Sequence, residues 1–142
     1  MLHMPPPQRF RHAAIVGKPQ AQGTRDLIED VARVLAQQGL DVTLESATAK
    51  ATGITAYDAL DAAQLGQRCD VTVVVGGDGT MLGIARELAQ FDMPLVGINQ
   101  GRLGFITDIP VDRFREALAP IVRGEYEEEH RAMLDASVWR DD

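Results

Sequence analysis

Gly76-Gly77-Asp78-Gly79-Thr80 sets one carboxylate among three glycines, directly after the apolar run Val71-Thr72-Val73-Val74-Val75. Glycines let the backbone approach a ligand closely and take turns that a Cβ resists. Backbone N–H groups of such a turn, at the start of a helix, favour a phosphate. A bare carboxylate repels phosphate, so Asp78 needs a separate reason to be there. It has one if a divalent metal ion accompanies the phosphate, or if the carboxylate accepts the proton of an attacking hydroxyl. The competing reading is structural: a tight Gly-Asp-Gly turn in which Asp78 or Thr80 merely caps the next helix. A strand before the turn and a helix-compatible run from Met81 to Phe91 after it favour phosphate.

The elements around this turn follow from periodicity. Val71 to Val75 has no polar alternation and reads as a strand buried on both faces, as in a parallel sheet covered by helices. Leu95 to Ile98 is of the same kind. It too runs into a glycine-rich segment, Asn99-Gln100-Gly101-Arg102-Leu103-Gly104-Phe105. Upstream, His12 to Val16 reads as a first strand ending at Gly17-Lys18-Pro19. Thr24 is placed as the N-cap of a helix with Leu27, Ile28, Val31, Val34 and Leu35 at helical spacing, closed by Gly39. Leu40 to Glu45 alternates like a strand. Ser46 to Thr55 reads as a polar surface loop, and Ala56 to Arg68 as a weakly amphipathic helix.

Leu82, Ala85, Leu88 and Ala89 give the helix after the glycine turn its apolar face, and Met93-Pro94 breaks it. Asp112 is placed as the cap of a last helix with the face Phe114, Leu118, Ile121 and Val122. Pro120 distorts its final turn and Gly124 ends it. Strand and helix alternate, so the fold class is α/β, a doubly wound, mostly parallel, Rossmann-like sheet. Ligands bind beyond the carboxyl ends of such strands, where both glycine segments emerge, so the two should converge on one site.

The chain of 142 residues is near the modal size of one domain. Its 45% hydrophobic and 25% charged residues are ordinary for a globular protein, and no apolar run reaches the length of a membrane span. A net charge of −7 argues against a nucleic-acid partner. One cysteine, Cys69, excludes an internal disulfide framework, suits a reducing cytoplasm and reads as an inert small hydrophobe. His3, His12 and His130 lack metal-ligand spacing. Three regions are expected: a flexible Pro-rich tail over 1–11, the α/β phosphate-binding domain over 12–124, and over 125–142 an acidic stretch and one alternating strand. That strand reads as the first of a further all-β domain.

Gly76-Gly77-Asp78-Gly79-Thr80, followed by Gly97-Ile98-Asn99-x-Gly101-x-Leu103-Gly104-Phe105-Ile106-Thr107-Asp108, resembles the bacterial NAD kinase family. The glycine-Asp-glycine signature alone is shared with diacylglycerol and sphingosine kinases and 6-phosphofructokinases; the second block is far more specific. Glu129 to Asp135, with its Arg-x-Met-Leu core, also resembles that family's passage into its C-terminal domain. The resemblance implies a cytoplasmic enzyme that transfers the γ-phosphoryl of ATP to the adenosine ribose 2′-hydroxyl of NAD, giving NADP. It implies assistance by Mg²⁺ or another divalent ion, and a homo-oligomer when full length.

By the same resemblance Asp78 is the general base, and Gly76, Gly77, Gly79, Thr80 and Leu82 lie at the nucleotide. Asn99, Leu103, Gly104 and Phe105 border the dinucleotide. The family's Asn-Glu or Asn-Asp dipeptide and its Thr-Pro-x-Gly-Ser-x-Ala-Tyr loop do not occur here. The chain is therefore read as a fragment or as a truncated relative that no longer catalyses. Two alternatives stand beside the kinase: a related enzyme acting on a lipid or sugar hydroxyl, and a non-catalytic nucleotide-binding or assembly module. Read residue by residue, Phe105 is more simply core and Asn99 a turn cap, while Lys18 and Arg102 are ordinary surface cations.

Overall fold

The computed structural model describes residues 9–18, 23–100 and 109–125. The described residues form a parallel sheet in the order β3-β2-β1-β4-β5-β6. Its strands are β1 (His12–Gly17), β2 (Asp41–Glu45), β3 (Asp58–Leu60), β4 (Val71–Gly76), β5 (Leu95–Asn99) and β6 (Ile109–Pro110). The connecting helices are α1 (Thr24–Gln37), α2 (Ser46–Thr52), α3 (Ala62–Arg68), α4 (Asp78–Leu88) and α5 (Phe114–Val122).

The central strands carry apolar side chains on both faces, and each face meets its own helices. Val71, Val73 and Val75 of β4, with Ala13 and Ile15 of β1, pack with Ile28, Val31 and Leu35 of α1 and Phe114, Leu118 and Val122 of α5. Val16 and Val74 turn the other way, onto Met81, Ile84 and Leu88 of α4. Ala14 meets Leu65 of α3 and Cys69. Burial pushes the Cys69 thiol up to about 11, so it is not a nucleophile near neutral pH.

Several local expectations change. Ser46 to Thr52 is a helix, not a surface loop. Its inner face is polar, with Thr48 and Thr52 both buried and hydrogen-bonded, so hydrophobic periodicity had nothing to register. The segment 56–68 divides into the edge strand β3 and the helix α3. The divider is a capping box at Asp61 and Gln64, which satisfies two N–H groups reciprocally at 2.8 and 3.0 Å. The buried face of α4 is Met81, Ile84 and Leu88, with Leu82 half-buried and Ala89 exposed in a short 3₁₀ turn. Asp112 lies in a 3₁₀ turn before α5 and does not cap it.

The last residues of the expected tail are held in the fold. Phe10 is buried and its N–H donates to the carbonyl of Val122 at 3.0 Å. Arg9 donates to the carbonyl of Gln38.

Thr72, the second residue of β4, is fully buried, and its hydroxyl has no hydrogen-bond partner among the described residues. A buried unsatisfied hydroxyl costs about 1–3 kcal/mol. Thr72→Val keeps the shape and removes the cost. It should raise stability by about 1 kcal/mol and the melting temperature by about 4 °C. A lowered melting temperature would show that the hydroxyl is bonded after all.

Candidate functional site

The sheet order reverses between β1 and β4, because the chain leaves β1 toward β2 and leaves β4 toward β5. Past the carboxyl ends of such a pair lies the crevice where open parallel sheets take ligands. β4 delivers the glycine turn to that place. Gly76 ends the strand with φ 157°, and an added Cβ would lie 3.0 Å from Thr80 Oγ1 and 3.2 Å from Thr80 Cβ. The fold itself needs glycine there. Gly77 and Gly79 differ, since a Cβ at either meets nothing within 4 Å among the described residues, and Gly77 has an ordinary extended backbone. Nothing in the described chain demands glycine at those two positions, which leaves open space beside the turn.

Gly77 is the N-cap of α4, no side chain caps that helix, and Asp78 is its first residue. Neither Asp78 nor Thr80 occupies the N-cap position. A carboxylate in the first turn is favoured in its charged form by the positive end of the helix, and a charged carboxylate is what a proton acceptor requires. Asp78 is half-buried.

The neighbouring strand ends complete the edge. Asn99 ends β5 opposite Gly76 in the register and is buried. The next N–H, of Gln100, donates to the carbonyl of Gly76 at 3.0 Å. The starts of the two glycine segments thus touch through a backbone hydrogen bond. Leu103, Gly104 and Phe105, with Arg102, lie outside the described residues. On the other side Gly17 ends β1, where a Cβ would come 2.8 Å from Ile28 Cδ1, so the missing side chain lets α1 pack close. Lys18 follows, exposed.

Sequence reasoning missed the roles of four polar residues at this edge, Glu45, Thr48, Gln100 and Thr24. Gly17 N–H donates to Thr48 Oγ1 at 3.0 Å, and that hydroxyl stands 2.8 Å from Glu45 Oε1 and 3.1 Å from the Gly17 carbonyl. The hydroxyl fastens α2 to the end of β1. Gln100 Nε2 donates to Thr24 Oγ1 at 2.6 Å. Thr24 is not the N-cap of α1, a place taken by Gly23; it is the first helical residue, and buried. An acidic residue closing an alternating strand was the one available sign, at Glu45. Among the described residues no group of three His, Cys, Asp or Glu side chains could hold a metal ion.

Residues 13–126 match the family model of the ATP-NAD kinase N-terminal domain. The chain belongs to the NAD kinase family. It is 61% identical over 132 residues to the NAD kinase of Methylibium petroleiphilum, a match covering 93% of this chain and 44% of that protein. It is 59% identical over 133 residues to the NAD kinase of Polaromonas naphthalenivorans, covering 94% and 46%. The chain thus spans less than half the length of these NAD kinase relatives. Among solved structures, yeast NADH kinase complexed with NADH superimposes with a TM-score of 0.71 over 88% of this chain and 41% of that one. At 18% identity that likeness speaks for the fold, the same α/β layering found here.

Proposed function

We propose that this chain is the phosphate-handling half of an NAD kinase, which transfers the γ-phosphoryl of ATP to the adenosine ribose 2′-hydroxyl of NAD to give NADP. The observation that carries the reading is the turn at the switch point. A carboxylate opens α4 between two glycines whose missing side chains the fold does not require. In the proposed reaction the 2′-oxygen bonds to the γ-phosphorus as the bond from that phosphorus to the ADP oxygen breaks. The hydroxyl proton passes to a carboxylate oxygen of Asp78.

Gly76, Gly77, Gly79 and Thr80 receive the phosphates by backbone. Leu82 and Asn99 lie beside the nucleotide, and Leu103, Gly104 and Phe105 supply a wall for the dinucleotide. Asp78 alone does not make a metal site, so the divalent cation, Mg²⁺ in the simplest case, enters with ATP as part of the substrate. The family assignment supports a cytoplasmic enzyme, homo-oligomeric when full length, with nucleotides rather than nucleic acid or membrane as partners. Among the described residues no helix is long and apolar enough to cross a membrane.

The test is a fusion of this chain to the C-terminal half of the Methylibium relative, assayed for NADP from ATP and NAD. The fusion should be active, and the unfused chain, without the Thr-Pro-x-Gly-Ser motif, should not. A folded fusion that binds ATP and forms no NADP would count against the proposal.

A further inference from the structure

We propose that Gln100 is a positioning residue of the nucleotide site, the tie that holds two strand ends and the start of α1 in one arrangement. The inference rests on the kinase reading above. Its backbone N–H donates to the Gly76 carbonyl at 3.0 Å, and its side-chain amide donates to Thr24 Oγ1 at 2.6 Å. β4 lies between β1 and β5, so the amide links the end of β5 to the start of the helix that follows β1, strands that are not neighbours. Its two donors thus hold the carboxyl ends of β5 and β4 and the first turn of α1.

The arrangement matters because a turn containing Gly76, Gly77 and Gly79 loses more conformational freedom on ordering than any other composition would. Its entrance is set by the Gly76 carbonyl, which Gln100 clamps. Gln100 in turn is fixed by a threonine that is 1% exposed and so cannot drift with solvent. Asp78 is two residues beyond the clamped carbonyl. Gln100 touches neither the reacting atoms nor the proton path described above. Its effect should therefore fall on how well the turn is pre-formed for ATP.

In the fusion, Gln100→Ala and Thr24→Val should each raise KM for ATP about three- to tenfold, the range of one hydrogen bond, with kcat within about twofold of the parent. Thr24→Ser keeps the hydroxyl and should behave as the parent. Because both residues meet in this contact, the effects of the two substitutions should be less than additive. In the unfused chain, Thr24→Val should speed amide exchange at the Gln100 N–H several-fold.

An unchanged KM in both single variants would overturn the assignment. So would a double variant whose defects multiply, or a lowered melting temperature with KM unmoved, which would make the bond merely structural. A parent fusion that forms no NADP refutes the kinase reading by itself. The Gln100 amide then still decides the tie, and unchanged exchange in Thr24→Val overturns it.

Discussion

Asp78→Asn in the fused enzyme is expected to lower NADP formation by about two orders of magnitude or more while leaving the melting temperature nearly unchanged. General-base assistance contributes about 10²–10⁴-fold, which sets the size of the loss. The stability side follows from where the residue sits. Asp78 is the first residue of α4 and not its N-cap, so asparagine forfeits a charge at the helix start, worth about 0.3–1 kcal/mol. KM for ATP should move little compared with kcat, since the amide can still occupy the turn. An unchanged kcat would reduce Asp78 to a helix-terminal charge and remove the main support for hydroxyl deprotonation at this place.

Gly77→Thr and Gly76→Ala should fail in opposite ways. At Gly77 the backbone is extended and an added Cβ meets nothing within 4 Å among the described residues. Threonine is about as good an N-cap as glycine, so α4 should be unharmed. The branched side chain instead fills the space beside the turn, and ATP affinity should fall at least about tenfold, about 1.4 kcal/mol. At Gly76 the backbone is at φ 157° and a Cβ presses on Thr80 at 3.0 Å. Alanine there should cost about 1–3 kcal/mol of folding free energy before any ligand is considered. Paired thermal melts and ATP titrations separate the two. If Gly77→Thr binds ATP normally, the open space beside the turn is not where phosphate sits.

The core was legible because it is written in apolar residues. Five consecutive β-formers ending in glycine could be read as a strand buried on both faces, and Val71–Gly76 is one. That the two glycine segments start side by side could be anticipated from parallel topology alone, and the Gly76–Gln100 hydrogen bond joins those starts. What escaped was polar and long-range. α2 looked like a loop because its inward side chains are threonines. Its helix is stabilised by hydroxyl bonds to Gly17 and Glu45 that no periodicity scan weighs. The tie from Gln100 to Thr24 spans 76 residues of sequence and joins types that are ordinary on any surface. Asp61 and Gln64 were a different kind of miss. Their capping box was visible in the sequence and would have divided the segment 56–68 correctly.

The hydrogen bond from Phe10 to Val122 joins the beginning and the end of the described α/β unit at the amino edge of β1. The glycine turn lies at the other edge, one strand length away. Six residues of strand span about 20 Å. The described α/β unit therefore ends on the opposite side of the sheet from the nucleotide turn. A segment reaching from that end to Asp78 needs at least about six extended residues. A linker shortened below that length would leave both halves folded and the nucleotide turn out of reach.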